Sequence, residues 1–279
     1  MAATTSVPTR PFRFGVVATP QESVAAWIAT AKRVEELGYS TLLMPDGVQL
    51  LSPFSSLAVA ATATSLRVGT FVLASPLRTP RQAAWEAHSL SVLTQGRFDM
   101  GIGTGHDRVP EGAAELGMPY GTAAERRDQV KQTVAHLREL DGEAHTPVLM
   151  AAAGPRALAL AAEIADIVTL AAGAFATREE FAAMAAGLRA TAGSRAAEIE
   201  LAMNLFVVGD EVPPWTRNFI GADAAQLIAA DSLTMLRGSV DEMTDELRRR
   251  RDAFGTSYIS VNSAFFEQLA PMVERLTGT

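Results

Sequence analysis

The residues of this chain best suited to chemistry stand directly after short apolar runs. Gly101-Ile102-Gly103-Thr104-Gly105-His106 places three glycines and then a histidine behind one such run. Glycines let the backbone approach a ligand closely, and a histidine beside them exchanges a proton near neutral pH. Ala153-Gly154-Pro155-Arg156 follows a second run and opens a helical pattern. Free backbone N–H groups at a helix start, next to a cation, suit a phosphate-type anion. Asp46 follows a third run, between Pro45 and Gly47, and the segment Thr70-Phe71-Val72-Leu73 closes a fourth. Ala171, Ala172, Asn204 and Asn262 complete the set. Most of these residues are small, and a mouth lined by small residues leaves room for a flat ring. A plainer reading stands beside this one: alanine is abundant throughout, Gly-Pro suits many strand-to-helix turns, and a lone histidine is more often solvated or structural than catalytic.

The glycine run is not the dinucleotide fingerprint, whose last glycine comes later, so a Rossmann assignment fails. No histidine–carboxylate spacing suggests a metal site, no Gly-x-Ser-x-Gly elbow occurs and there is no cysteine. What remains is an enzyme whose difficult chemistry is brought by a cofactor and whose partner is a small organic substrate. A net charge of −7 argues against nucleic acid, which needs a concentrated basic face. The run Arg248–Arg251 lies late in a helical pattern that begins with Asp241 and Glu242, so its charges suit the helix dipole. Every apolar run is interrupted well short of the roughly 20 residues that span a bilayer, and the N-terminus lacks the pattern of a secretory signal. With no cysteine, a cytoplasmic setting is expected.

These candidates need elements to hold them, and the chain alternates short β-rich runs with helical patterns. Strands are expected at Phe12–Val17, Thr41–Met44, Leu66–Leu73, Phe98–Ile102, Pro147–Ala151, Ile164–Leu170, Ile199–Val208 and Tyr258–Val261. Among the helices between them, Gly38 closes the first, Pro80 suits the first turn of the third, and Thr177/Glu180 and Ser239/Glu242 read as capping boxes. Eight strands alternating with helices in this length predict an α/β fold, a closed (β/α)8 TIM barrel, whose active site lies at the carboxyl ends of the strands. Residues 11–279 are expected to form one domain behind a tail of residues 1–10. The stretch Gly209–Gly238 shows no clear period and reads as an irregular loop with one helix.

Several segments together resemble the luciferase-like monooxygenases, especially their F420-dependent oxidoreductase branch. They are AKRVEELGYSTLLMPD, LRVGTFVLASPLRTPRQAAWEAHSLSVLTQGRFDMGIGTG, AAAGPRALALAAEIADIV and LRGSVDEMTDELRRRRDAFGTSYISV. The resemblance implies a luciferase-like barrel binding F420, with FMN as the alternative. It places Asp46, Thr70, Phe71, Val72, Gly103, Thr104 and Gly105 around the ring and Ala153, Gly154, Pro155 and Arg156 at the phosphate. It also implies a non-proline cis peptide at Phe71–Val72 and gives His106 and Asp46 catalytic roles. Two departures stand out. Gly47 replaces a histidine that often follows the aspartate, and only six residues link Leu140 to Pro147, where relatives carry an insertion. Three activities follow: F420-dependent hydride transfer to or from an organic substrate, FMN-dependent monooxygenation with O2, or cofactor binding without catalysis. Arg78, Arg108 and Arg156 favour the acidic tail of F420. A homodimer is expected by the same resemblance.

Overall fold

The strand segments that the sequence shows as apolar in unbroken runs are those buried on both faces, as in a parallel sheet covered by helices. The computed structural model describes residues 9–105, 109–214, 217 and 220–279. Its strands are β1 (Arg13–Val17), β2 (Thr41–Met44), β3 (Arg67–Thr70), β4 (Leu73–Ala74), β5 (Phe98–Gly103), β6 (Val148–Ala152), β7 (Ile167–Leu170), β8 (Glu200–Leu205), β9 (Val207–Val208), β10 (Met235–Leu236) and β11 (Thr256–Asn262). The principal sheet runs β3-β2-β1-β11-β8-β7-β6-β5-β4, and β3 also pairs with β5. Because β3 and β4 are two pieces of one strand, both hydrogen-bonded to β5, the sheet closes into an eight-stranded parallel barrel. The break between the pieces is a cis peptide at Phe71–Val72.

Helices α1 (Val24–Glu36), α2 (Pro53–Ala63), α3 (Pro80–Leu93), α4 (Val109–Glu115), α5 (Ala123–Asp141), α6 (Pro155–Ile164) and α7 (Arg178–Ala192) follow in chain order, with three more at Ala224–Ala229, Val240–Phe254 and Phe266–Leu276. Their starts are set locally. Thr122/Glu125, Thr177/Glu180, Asp223/Gln226 and Ser239/Glu242 form reciprocal capping boxes. Pro80 stands in the first turn behind the Thr79 cap, and Gly38, at φ +81°, lets the chain leave α1. Helix α1 buries an apolar face of Trp27, Ala31 and Val34, and the Trp27 indole N–H donates to Ser56 O at 2.8 Å. Burying such a large side chain contributes about 1.5–3 kcal/mol.

Several expected boundaries shift. The run Ile199–Val208 divides after Leu205, and β9 leaves the barrel to pair with β10, so the stretch Gly209–Gly238 contributes a strand as well as a helix. Helix α4 was not expected. Of the predicted tail, residues 1–8 lie outside the described residues, while the Arg10 guanidinium donates to Ala197 O and Glu198 O at 2.8 and 2.7 Å.

Candidate active site at the carboxyl ends of the strands

Alternation along each strand sends every second residue into the barrel, and those residues form layers. The lowest layer is ionic. Arg13 meets Glu200 at 2.6 Å, Arg67 meets Asp99 at 2.5 Å, and the Arg13 guanidinium lies 3.6 Å from the Tyr258 ring centre. Burial pulls Arg13 down, but Tyr258, Glu200 and Asp99 more than offset it, so its pKa lies above the ordinary arginine value. Burial pushes Tyr258 up to about 12, against the pull of Arg13. The middle layer is apolar, built from Leu43, Leu149, Ile167, Ala202 and Tyr258. Gly15 leaves space for the tyrosine, because a Cβ there would stand 2.7 Å from its hydroxyl.

Above these layers a cavity of about 500 Å³ opens at the carboxyl ends, within the range typical of small-molecule sites. Its floor takes one residue from nearly every strand position: Val17, Pro45, Phe71, Ala151, Thr169, Asn204 and Asn262. At β5 the corresponding Gly103 is covered by Val72, whose methyl lies 2.9 Å from where a Cβ would stand. Among the described residues no charged side chain lines the cavity. Ala171, Ala172 and Gly173 are shared with an outer groove of about 630 Å³ that passes Ala153 and Pro155. The cavity and the α6 start are therefore joined by one surface.

The structure sorts the expected site residues into three groups. Phe71 lines the cavity, with the cis bond and Val72 at its edge. Gly154 caps α6 with no side-chain hydrogen bond, Arg156 is exposed, and among the described residues Arg156 has no ion-pair or hydrogen-bond partner. That uncapped helix start with a free cation has the donor chemistry a phosphate needs. A second group is occupied by the protein itself. The Asp46 carboxylate accepts from Arg78 at 2.6 and 3.0 Å and from Ala74 N–H at 3.0 Å. Arg78 is therefore not the free cation at the mouth that its sequence position suggested; it is held by Asp46 and by Glu86 at 3.4 Å. Thr70 is fully buried and donates to Gly101 O at 2.7 Å. Thr104 O accepts from Arg126 at 2.9 Å, and Gly105 has φ +86°. His106 and Arg108 form the third group and lie outside the described residues. At the departure noted after Asp46, the space that a side chain at Gly47 would enter is filled by Gln49, whose Oε1 lies 2.7 Å from the Cβ position.

Sequence reasoning missed Thr169. It is 3% exposed, lines the cavity floor, and its hydroxyl has no hydrogen-bond partner. Its signal was present: it is the one polar residue in the apolar strand Ile-Val-Thr-Leu. A buried hydroxyl without a partner costs about 1–3 kcal/mol, which a bound acceptor or donor removes. Arg126 was missed as well; it stacks 4.1 Å over Tyr120 and fastens the loop after β5. Ile220, Leu233 and Thr234, which also line the cavity, come from the stretch that showed no period, and Phe206 beside them comes from the predicted strand before it.

The closed parallel barrel thus carries a neutral cavity, a hydroxyl without a partner on its floor and an uncapped helix start at its rim. The model of the family described as luciferase-like monooxygenase matches residues 7–213, and the chain belongs to that family. An uncharacterized protein of Mycobacterium tuberculosis is 29% identical over 138 residues. That match takes in 40% of this chain and 46% of the relative, so it spans about half the relative's length. Among solved structures, the coenzyme F420-dependent tetrahydromethanopterin reductase of Methanopyrus kandleri is similar at a TM-score of 0.71 and 17% identity, over 96% of this chain and 98% of its own. The oxygenating constituent of 3,6-diketocamphane monooxygenase from Pseudomonas putida, in complex with FMN, is similar at 0.69 and 14%, over 94% and 95%. Both share the barrel. Among the described residues no helix is long and apolar enough to cross a membrane, and no cluster of acidic or histidine side chains is arranged to hold a metal.

Proposed function

We propose that the protein is an oxidoreductase that binds a flavin-type cofactor across the mouth of the barrel, with F420 as the first reading. The observation that carries this is the pairing of the neutral cavity beside Phe71–Val72 with the uncapped, arginine-flanked start of α6. The ring would lie on Phe71, Val72 and the Gly103–Gly105 backbone, and Gly154, Pro155 and Arg156 would receive the phosphate. Bound F420 supplies hydride transfer to or from an organic substrate. The protein's part is to exclude water with an apolar floor, to hold the ring by backbone and hydroxyl groups, and to anchor the anionic end. Asp46 would act by fixing the end of β2 to Ala74 and Arg78 beside the ring, a positioning task for a carboxylate with both oxygens engaged.

The engagement of Arg78 removes one of the cations that favoured the acidic tail of F420, and this supports FMN with O2 as the second reading. Titration of the purified protein with F420 and FMN in both redox states, followed by absorbance and fluorescence, decides between them. Saturable F420 binding is expected; FMN binding with F420 failing at high concentration overturns the first reading. Binding of neither overturns both, and binding without turnover over a broad substrate panel identifies a non-catalytic member.

A further inference from the structure

Between the start of α7, β10 and the helix Val240–Phe254 lies another concavity, of about 520 Å³, which shares no lining residue with the cavity of the candidate site. Among the described residues its lining carries four arginines against three carboxylates, in a chain whose net charge is −7. The carboxylates are committed to the protein. Glu246 takes Arg178 at 2.8 Å and Arg250 at 2.7 Å on Oε1, and Arg249 at 3.0 Å on Oε2. Asp231 gives both oxygens to Arg178, and Glu242 turns its Oε2 to the Ser239 cap. Arg250 is buried and fully used, since its other two nitrogens donate to Leu233 O and Met235 O. The other three arginines have donors to spare. Among the described residues no acceptor meets Nη1 of Arg178, Nη1 of Arg249 or either Nη of Arg237, whose Nε is held by Asp210 at 2.7 Å.

We propose that this concavity is a binding site for an organic phosphate, a phosphate monoester carrying an apolar group. Each of the three guanidiniums is fixed at one end by a carboxylate, so its free end is held in place before any ligand arrives and little side-chain entropy is left to lose. They come from three separate places in the chain: α7, the turn after β10 and the helix Val240–Phe254. A phosphate presents three peripheral oxygens and close to two negative charges, which answers donors arriving from several sides. A carboxylate has two oxygens in one plane and is satisfied by a single fork. Leu227, Ile228 and Met235 supply the apolar part of the same lining, and Ile228 is left partly open to solvent. An apolar group attached to the phosphate would cover them. The site also backs onto the barrel cavity, because along one segment Ser232 and Met235 line this concavity while Leu233 and Thr234 line the other. None of its residues belongs to the turn Gly154–Arg156, so it is independent of the cofactor reading.

The test titrates phenyl phosphate, inorganic phosphate and phenol by ligand-observed NMR into Arg156→Ala protein, in which the turn before α6 has lost its cation. Phenyl phosphate should bind saturably and severalfold tighter than inorganic phosphate, and phenol should not bind. Adding Arg237→Gln or Arg249→Gln should weaken phenyl phosphate by about tenfold, the loss of one charge-assisted contact. Both arginines are more than half exposed, and exposed ion pairs contribute little to stability, so both variants should fold. Lys131→Gln, which removes an equal charge from the exposed pair with Glu163, should change nothing. Absence of phenyl phosphate binding to the Arg156→Ala protein overturns the proposal, as does equal affinity in the Arg237→Gln, Arg249→Gln and Lys131→Gln proteins. Inorganic phosphate binding as tightly as phenyl phosphate overturns the organic class. With Arg156 intact, FMN and F420 affinities should hold in Arg237→Gln and Arg249→Gln; a loss there also overturns the proposal, because these arginines would then serve the cofactor. If neither cofactor binds the unaltered protein, the proposed function falls while the phenyl phosphate comparison still decides this site.

Discussion

Replacing Gly101 by alanine should damage the barrel where its floor is made. A Cβ on Gly101 would stand 1.8 Å from Thr70 O and 2.8 Å from Thr70 C. A carbon and a carbonyl oxygen need about 3.2 Å or more, so one strand must retreat by over an ångström. The obstacle is backbone, which cannot rotate away as a side chain can. The retreat would also break the bond from the Thr70 hydroxyl to Gly101 O. Overpacking costs about 1–3 kcal/mol, and the lost buried hydrogen bond adds about 1 kcal/mol, so about 3 kcal/mol is expected. With an unfolding entropy of about 2.1 cal/mol/K per residue, that lowers the midpoint of a chain this long by about 5 °C. Because Thr70 leads directly into Phe71 on the cavity floor, cofactor affinity should fall with it. The assay is paired thermal unfolding and cofactor titration of Gly101→Ala beside Gly187→Ala. Gly187 lies within α7 with nothing within 4 Å of a Cβ, so alanine there should be neutral or stabilising by up to about 1 kcal/mol. A Gly101→Ala protein with unchanged midpoint and affinity would refute the argument that β3 and β5 touch too closely for a side chain.

Arg156→Ala should weaken FMN or F420 by about tenfold while leaving riboflavin, which lacks the phosphate, nearly unchanged; an equal loss for both would move the anion site elsewhere. Glu246 supplies a pH test: burial pushes its pKa up, but Arg250 and Arg178 pull it down further, and it ends below the usual carboxylate value. Its contribution to stability is therefore present above about pH 4.5 and lost as the pH falls through the lower folded-state value. Acid unfolding of Glu246→Gln should be correspondingly less steep than that of the unaltered protein below that pH, and equal slopes would count against the ion pairs. Trp85, Val92 and Leu93 of α3 are exposed by 63%, 61% and 77%, and we propose that a second copy covers this face. Light scattering should then show a dimer that Trp85→Glu splits; a monomer at high concentration would end that proposal.

The architecture was legible because strand and helix signals are local. Capping boxes at Thr177 and Ser239, Pro80 in a first turn and apolar runs such as Ile167–Leu170 act through near neighbours, so eight alternating units could be counted without knowing what each touched. The resemblance carried further, and the cis bond stands at Phe71–Val72 where it implied one. Boundaries were less legible where tertiary pairing chose them, as when β9 leaves the barrel at Phe206 to meet β10.

The site itself divided the same way. Small residues at strand ends and the Gly154–Arg156 turn followed from the sequence, since strand ends and helix starts are placed by the fold class alone. Which polar groups remain free could be decided only in three dimensions, because partners come from distant segments. Asp46 and Arg78 are 32 positions apart and neutralise each other, and Asn204 meets the Ser260 hydroxyl across 56. Thr169 is alone because no neighbouring strand offers it a partner. The sequence by itself determined the barrel and the small residues at its mouth; the tertiary structure decided which polar groups there stay free, because a hydrogen bond made inside the protein is one that no ligand receives.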